Sequence, residues 1–245
     1  MADFGLSEEQ EMLRELAHEF ARDSVRPHAE HWDLENEFPL EAIAEAHALG
    51  LTNLHIPTEY GGMGMGIADE VLVIEEFAWG DPGFSTAAYS NGLTAGPIIT
   101  GGTEEQKEEY LGRLVKEPKI ASYCVTEPAA GSDVASIETT AVRDGDHYIL
   151  NGEKMFITGA GHADWFFVLA YTDKSAGYKG MSAFIVESNL DGVTLGKKES
   201  NMGQRASDTR GVRFNNVHVP VENLLGGVDG QGWFNAMKAF DLSRP

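Results

Sequence analysis

The chain has 245 residues, enough for one large domain or two smaller ones. It carries 18 Lys and Arg against 39 Asp and Glu, and the resulting formal charge of −21 argues against nucleic acid as a partner, because such binding depends on neutralising phosphates. Hydrophobic residues make up 42% of the chain, enough for a core, but no run approaches the ~20 apolar residues that span a bilayer.

Cysteine use and the first residues bear on the compartment. Cys124 is the only cysteine, so the chain has no intrachain disulfide and no cysteine-based metal cluster. Residues 1–5 are like neither an apolar secretory signal nor an arginine-rich transit peptide. We therefore expect a reducing, cytoplasmic environment.

The negative charge is unevenly distributed. Residues 1–120 hold 7 Lys and Arg against 24 Asp and Glu, a net −17, whereas residues 121–245 hold 11 against 15, a net −4. The acidity of the first part is most simply a solvated surface. Any polyanionic ligand is expected in the less acidic second part.

Helical periodicity dominates residues 1–120, which are predicted to form an N-terminal all-α domain. Ser7 and Gln10, and again Thr103 and Gln106, have the spacing of a capping box. The predicted helices run from Ser7 to about Pro27, over 40–49, 67–79 and 103–116, with one or two more in the Gly- and Ala-rich segment 84–100.

After Ile120 the hydrophobic period changes to two, which predicts an antiparallel β-barrel or sandwich of seven or eight strands over residues 121–228. Asp144-Gly145 and Asn151-Gly152 are hairpin signals. A new helix begins at about Gly230, and residues 229–245 are predicted to start a C-terminal helical domain. The predicted class is therefore α+β, multidomain. The predicted strands are 120–125, 137–143, 147–150, 154–158, 164–172, 181–187, 193–198 and 211–219.

The stretch 123–133, Tyr-Cys-Val-Thr-Glu-Pro-Ala-Ala-Gly-Ser-Asp, is the first candidate site. Pro128 ends a strand, and residues 129–132 then form a loop in which backbone amides and the Ser132 hydroxyl could hold a phosphate. Thr126 lies where the strand opens and could offer its hydroxyl to a flat heterocycle. Taken alone, the stretch fits an ordinary strand-to-turn junction better than a ligand site.

A second candidate is Phe156-Ile157-Thr158, which places an aromatic ring and a hydroxyl on one face of a strand. Such a face could stack on a flat ring and donate to its edge, although this pattern is common in strands. Glu127 adjoins the first stretch and could orient it. The polar segments 201–210 and 240–245 fit salt-bridged turns.

Other motifs indicate less. The glycine cluster 61–66 lacks the spacing of a nucleotide-binding loop and fits a structural loop. His28 and His31 have no second ligand pair, so no metal site is predicted. Cys124 lies inside an apolar strand, where a thiol behaves as a small core residue.

Five motifs in this order carry a resemblance over the whole chain: Pro57-x-Glu59-Tyr60-Gly61-Gly62, the stretch Tyr123–Asp133, Gly152-x-Lys154-x-Phe156-Ile-Thr158, Met202-Gly-Gln-Arg205-x-Ser-Asp-Thr209, and Asp241-x-x-Arg244-Pro245. Together they resemble the acyl-CoA dehydrogenase family, closest to its straight-chain short- and medium-chain branch. The second and fourth motifs are long and specific.

The resemblance implies a helical domain, a β domain and a second helical domain, with FAD bound between the last two. A tryptophan is common in the family where this chain has Phe156, so stacking should remain without an indole N–H. By resemblance the FAD-binding residues are Tyr123, Cys124, Val125, Thr126, Gly131, Ser132, Phe156, Ile157 and Thr158, and the substrate-binding residues are Ser132, Asp241 and Arg244, with a looser match around Lys179.

The family's chemistry removes the α-proton of an acyl-CoA thioester with a carboxylate and transfers the β-hydride to flavin N5, as in fatty acid β-oxidation. The resemblance implies an electron-transfer flavoprotein as acceptor and a homotetramer for the complete protein. It places the catalytic base in a domain beyond Pro245, so the 245-residue chain alone is expected to be inactive. An acyl-CoA oxidase on the same scaffold, or a non-catalytic flavin- or CoA-binding fragment, remains an alternative.

Overall fold

In the computed structural model, which describes residues 5–243, the chain divides into two units. The helical unit consists of residues 5–89 together with Ser200–Ser207, and the sheet unit consists of Ser90–Glu199 together with 208–243. Among residues 5–243, no helix is both long and apolar enough to cross a bilayer.

The helical unit begins with the predicted capping box, because the Ser7 hydroxyl accepts from the Gln10 amide and the Gln10 side chain accepts from the Ser7 amide. A π-helical turn, Ala21–Val25, prolongs the first helix towards Pro27. The helix Ala29–Glu35 was not predicted. The helices are α1 Glu8–Phe20, α2 Ala29–Glu35, α3 Leu40–Ala48, α4 Ile67–Gly80 and α5 Pro82–Ala88, with a 3-10 turn at Thr58–Tyr60.

Not every apolar residue at helical spacing in the helical unit is buried. On α1, Phe20 is buried, but Met12 is 65% and Leu16 39% exposed. On α4, Val71 is 45% exposed and the core is reached through Val73 instead. The apolar face of each helix is therefore wider than the part that the unit's core covers.

The glycine cluster of the helical unit is built into its packing. A Cβ on Gly62 would lie 2.0 Å from the carbonyl oxygen of Ile56, so only glycine fits there without a shift of the backbone. This close approach supports the structural interpretation of the cluster.

The sheet unit adds three helices before its strands and one after them. The predicted capping box at Thr103 and Gln106 is present, and a π-helical turn at Lys107–Leu111 joins α7 to α8. The helices are α6 Asn91–Gly101, α7 Glu104–Gln106, α8 Gly112–Lys116 and α9 Gly232–Ser243.

Seven strands form one mixed sheet in the order β1-β4-β2-β3-β7-β6, with β5 paired to β4. Most neighbours are antiparallel, as predicted, but β4 runs parallel to β1 and to β2. The path has two ends among the described strands, so the predicted barrel is a half-barrel. The strands are β1 Ala121–Cys124, β2 Thr140–Asp144, β3 His147–Thr158, β4 Trp165–Tyr171, β5 Met181–Glu187, β6 Val193–Lys198 and β7 Thr209–Pro220.

One predicted hairpin is present and one is wrong. Gly145, at φ 62°, turns β2 into β3 as predicted. Asn151-Gly152 is not a turn, because β3 continues through it and only shifts register against β7 between Leu150 and Gly152. A Cβ on Gly152 would lie 2.2 Å from Thr139 Oγ1, which explains the glycine by close approach.

The last helix, α9, packs on α6, β4 and β5, and small residues lie on its buried face. Ala236 and Ala239 are buried, and a Cβ on Gly96 of α6 would lie 3.5 Å from that of Ala239. Phe234 is 42% exposed. Small residues thus bring the helix axes close and leave part of the aromatic side chains at the surface.

Candidate functional site

The two candidate segments lie side by side in the sheet unit, where the end of β1 meets the end of β3. The Met155 amide donates to the Thr126 carbonyl at 2.9 Å, and the Ser122 hydroxyl donates to the Thr158 carbonyl at 2.7 Å. The two segments are about thirty residues apart, and no sequence pattern predicted that they meet. In the structure these two hydrogen bonds hold the end of β1 and the residues after it against the end of β3.

The loop after β1 is narrow at its base and open beyond it. Glu127 and Ala130 exchange backbone hydrogen bonds of 2.8 and 3.1 Å, which close a tight turn around Pro128-Ala129. Gly131 and Ser132 are exposed, and a Cβ on Gly131 would have no described atom within 4 Å. This part of the loop is therefore accessible from solvent, as the approach of an anion to its amides would require.

Phe156 has the least ordinary backbone of the site. Its φ is 58°, in the left-handed region that bulky residues rarely adopt, and it lies where β3 shifts register against β7 between Lys154 and Ile157. The bulge turns the Phe156 side chain out, 60% exposed, while Ile157 is buried and Thr158 is partly exposed. Such strain is typical of functional segments.

A buried ion pair lies beneath these segments. The Lys154 ammonium is 2.8 Å from a Glu127 carboxylate oxygen, with side-chain exposures of 0% and 5%. Lys154 also donates to the carbonyls of Val125, at 3.2 Å, and Leu169, at 2.7 Å. The three donors of the ammonium group thus have three acceptors, as burial of a charge demands.

The Glu127 carboxylate is equally well occupied. It accepts from the backbone amides of Glu138, at 2.6 Å, and Thr139, at 3.1 Å, as well as from Lys154. Burial acts to raise the pKa of Glu127, but Lys154 and these hydrogen bonds outweigh it, and the pKa lies below its ordinary value. Burial lowers the pKa of Lys154, against the opposing charge of Glu127. The carboxylate is therefore a fixed structural anion, which agrees with the predicted orienting role of Glu127.

The strand residues of the first segment are mostly inaccessible. Cys124 and Val125 are buried, and burial raises the pKa of the Cys124 thiol, which suits a core residue and not a nucleophile. Tyr123 stacks on Phe167 with ring centroids 4.7 Å apart and meets Phe240 of α9 edge-on at 5.8 Å. Its buried hydroxyl has no hydrogen-bond partner among the described residues, and burial raises its pKa.

A second carboxylate holds the loop that follows β3. Asp208, fully buried, accepts from the Gly161 amide at 2.7 Å through its side chain and from the Gly159 amide at 2.7 Å through its carbonyl. Arg210 donates to the same carboxylate at 2.9 Å. The sequence suggested a salt-bridged turn here, and the ion pair between Asp208 and Arg210 exists, but Asp208 also binds the backbone just after the second segment.

The three predicted substrate residues are placed differently, and Ser132 is the one that lies in the first segment, on its exposed loop. Asp241 is exposed near the end of α9, and Arg244 lies outside the described residues. The start of α9 is held by Asp229, which accepts from Tyr148, at 3.0 Å, and from Ser182, at 3.3 Å. Lys179 lies in the 3-10 segment Lys174–Gly180 that precedes β5.

Lys154 and Asp208 are the functional candidates that sequence reasoning missed. Both stood in quoted motifs, but a charged residue in an alternating strand is ordinarily assigned to the solvent face. One usable signal existed for Lys154. It is an even number of residues from the buried Tyr148 and Leu150, and such spacing along β3 predicts the same, buried face of the strand. No such signal distinguished Asp208.

Comparison with known families now identifies the chain. The model of the acyl-CoA dehydrogenase N-terminal domain matches residues 7–118, and that of the acyl-CoA dehydrogenase middle domain matches residues 122–217. The chain belongs to the acyl-CoA dehydrogenase family.

Two relatives show how near the likeness is. The chain is 47% identical, over 99% of its length and 60% of the relative's, to a probable medium-chain specific acyl-CoA dehydrogenase of Caenorhabditis briggsae described as mitochondrial. It is 41% identical, over 99% of its length and 64% of the relative's, to the short-chain specific acyl-CoA dehydrogenase of Clostridium acetobutylicum. The chain thus spans about 60% of the length of the curated relatives it matches.

Solved structures give the same result. Butyryl-CoA dehydrogenase of Megasphaera elsdenii superposes with a TM-score of 0.94 at 39% identity, over 99% of this chain and 64% of that one. A chain in the structure of the electron transferring flavoprotein of Acidaminococcus fermentans gives 0.95 at 40%, over 99% and 64%. An acyl-CoA dehydrogenase of Bacillus anthracis complexed with FAD gives 0.91 at 35%, over 100% and 42%.

Proposed function

We propose that the chain is the flavin-binding part of an FAD-dependent acyl-CoA dehydrogenase that converts an acyl-CoA thioester to a trans-2-enoyl-CoA. One observation carries the proposal: hydrogen bonds from Met155 to Thr126 and from Ser122 to Thr158 place the strand-to-loop segment 122–132 beside the strand end 155–158. Relatives with the same fold and 35–47% identity include an acyl-CoA dehydrogenase complexed with FAD.

FAD is the cofactor, and the residues present fit it. The exposed Phe156 ring offers a face for stacking, and the partly exposed Thr126, just after β1, and Thr158, at the end of β3, offer hydroxyl donors. Gly131 and Ser132 offer an open loop to a phosphate. In this proposal Cys124, Val125 and Ile157, which are buried, support the flavin through their backbone, and Tyr123 brings a buried hydroxyl that has no hydrogen-bond partner within residues 5–243.

FAD, when bound, supplies the acceptor for the substrate's β-hydride. Thr126 and Thr158 would donate hydrogen bonds to the edge of the bound flavin, where such donors would favour a negatively charged reduced form. The strand ends of β1 and β3 would shield one side of the bound flavin from water. The substrate's CoA part is assigned to Ser132, Asp241 and Arg244.

The remaining functions belong to the whole protein. The catalytic carboxylate is expected beyond Pro245, the electron acceptor is an electron-transfer flavoprotein, and the complete protein is expected to be a homotetramer. Its predicted location is cytoplasmic, although the Caenorhabditis briggsae relative is described as mitochondrial. Reaction of the reduced protein with oxygen would distinguish a dehydrogenase from the alternative oxidase.

The flavin assignment is tested by titrating the 245-residue chain with FAD up to high micromolar concentration and following flavin fluorescence. Replacing both Thr126 and Thr158 by Ala should weaken binding by about tenfold or more, since each lost hydrogen bond costs roughly 1 kcal/mol. Thr194→Ala, on the exposed strand β6, is the control and should bind as the wild type does. Unchanged affinity in the double variant would contradict the assignment.

The assignment of the base is tested by anaerobic mixing of the FAD-loaded chain with butyryl-CoA and octanoyl-CoA. We expect no bleaching of the flavin absorbance, because general-base help is typically worth about 10²–10⁴-fold and its carboxylate is placed beyond Pro245. Rapid bleaching would show that the base lies within residues 1–245.

A further inference from the structure

The two peptide planes on either side of Thr126 are both held by consecutive residues of β3. Lys154 donates from its side chain to the Val125 carbonyl at 3.2 Å, and Met155 donates from its backbone to the Thr126 carbonyl at 2.9 Å. A trans peptide is planar, with its C=O and N–H pointing in opposite directions. Fixing the Val125 carbonyl towards Lys154 therefore fixes the Thr126 amide away from it.

We propose that Lys154 is a positioning residue of the flavin site: its buried ammonium group sets the peptide plane before Thr126 and so aims the Thr126 amide and hydroxyl at the flavin. The proposal rests on the flavin function proposed above. Lys154 does not reach the flavin itself, because its three donors are taken by Val125, Glu127 and Leu169.

The placement of the ammonium group also explains why Glu127 must be beside it. A lone buried ammonium would be strongly unfavourable, whereas a paired and fully hydrogen-bonded one is tolerated. Glu127 supplies the opposite charge. Its carboxylate also accepts from the amides of Glu138 and Thr139, which holds the far end of the loop 127–139 beside Lys154. One ion pair thus connects β1, β3, β4 and both ends of the loop 127–139.

A charged pair is an unusual choice for stability alone. Replacing a buried ion pair by uncharged groups of similar size often leaves the stability of a protein unchanged or raises it, so stability of the fold does not require the charges. What a neutral side chain cannot supply is a donor to three separate acceptors at once. This separates the two roles: neutralising the whole pair should restore stability but should not restore the orientation of Val125 and Thr126.

The experiment compares four forms of the 245-residue chain: wild type, Lys154→Met, the double variant Glu127→Gln/Lys154→Met, and Arg113→Met as control. Arg113 pairs with Glu187 at 2.6 Å in the same unit, so its replacement also removes a cation from an ion pair. FAD affinity, thermal midpoint and hydrogen exchange of the Met155 amide are measured on each.

Lys154→Met is expected to lower both FAD affinity, by about tenfold, and stability, and to speed exchange of the Met155 amide. The double variant should recover most of the stability while its FAD affinity remains about tenfold weak. Arg113→Met should leave FAD affinity and Met155 exchange as in the wild type.

Recovery of wild-type FAD affinity by the double variant would overturn the proposal, because Lys154 would then act through stability alone. Unchanged FAD affinity in Lys154→Met would also overturn it. If the wild-type chain bound no FAD at all, the flavin function itself would fail, and the proposal with it; the presence or absence of wild-type binding distinguishes that result from failure of the positioning role alone.

Discussion

Two ion pairs, one in each unit, show what burial does to the same chemistry. In the helical unit Arg205 and Asp33 meet at 2.6 Å with side-chain exposures of 33% and 36%. In the sheet unit Lys154 and Glu127 meet at 2.8 Å with exposures of 0% and 5%. Both cations stand in motifs of the family, but only the buried one is surrounded by backbone groups of the candidate site.

The difference lies in what each pair holds. Arg205 donates three hydrogen bonds to Asp33, one of them from its own backbone amide at 3.2 Å, so the contact joins two surface segments of one unit. The buried pair reaches two carbonyls and two amides beyond itself. Water competes for the first pair and not for the second, so their effects on stability and on ligand binding should differ widely.

The largest effect is expected from Glu127→Gln, which leaves the Lys154 ammonium buried without its counter-charge. The loss of the counter-charge should lower the free energy of unfolding by about 3 kcal/mol, which corresponds to a fall in Tm of roughly 6–12 °C for a chain of this size. Thermal melts at pH 7 measure it. Glu187→Gln, in the half-exposed pair with Arg113, is the matched control and should change Tm far less.

The same variant gives a test by pH. The folded-state pKa of Glu127 lies below its ordinary value of 4.5, so its contribution is fully present above about pH 4.5 and is lost as the pH falls through the folded-state pKa. The wild type should therefore lose stability on acidification below pH 4.5, and the gap between it and Glu127→Gln should narrow. A gap that stayed constant down to pH 3 would show that the carboxylate is not the source of the stability.

The contrast between the pairs also marks what could be predicted from sequence. Capping boxes and hydrophobic period located most helices and nearly every strand, because these depend on neighbouring residues; β5 and β6 match their predicted bounds. The parallel pairing of β4 with β1 and β2 depends on long-range contacts that no local pattern contains. Asn151-Gly152 misled because a register shift uses the same residues as a hairpin turn.

The candidate site was predictable as two segments and not as one surface. Thr126 and Phe156-Thr158 came from the motifs, but their joining through Met155 requires the pairing of strand ends. The positive φ of Phe156 could not be foreseen, because phenylalanine carries no preference for that region. The burial of Lys154 went against the usual surface assignment of lysine.

A smaller effect, about 2 kcal/mol, is expected from Gly152→Ala. The added methyl carbon would lie 2.2 Å from the hydroxyl oxygen of Thr139, so the backbone would have to shift. Thr139 is close to the buried pair, because its backbone amide donates to Glu127. Tm should fall by roughly 4–8 °C. Gly145→Ala is the control for backbone preference, because Gly145 has a left-handed backbone but a Cβ there would have no described atom within 4 Å. It should lower the free energy of unfolding by about 1 kcal/mol. Equal losses would show that the crowding beside the buried pair is unimportant.

The smallest effect is expected from Arg205→Met in the helical unit. Its hydrogen bonds lower the pKa of Asp33, but both groups keep access to water, so in the variant the carboxylate keeps the backbone amide of residue 205 and water replaces the guanidinium. The fall in Tm should be about 2 °C or less and should shrink further in 0.5 M salt, since screening weakens exposed pairs. Arg14→Met, which breaks the exposed pair with Glu11, sets the baseline. A loss as large as that of Glu127→Gln, or one unaffected by salt, would mean that exposure does not separate the two pairs and that Arg205 holds its segment as firmly as Lys154 holds the loop 127–139.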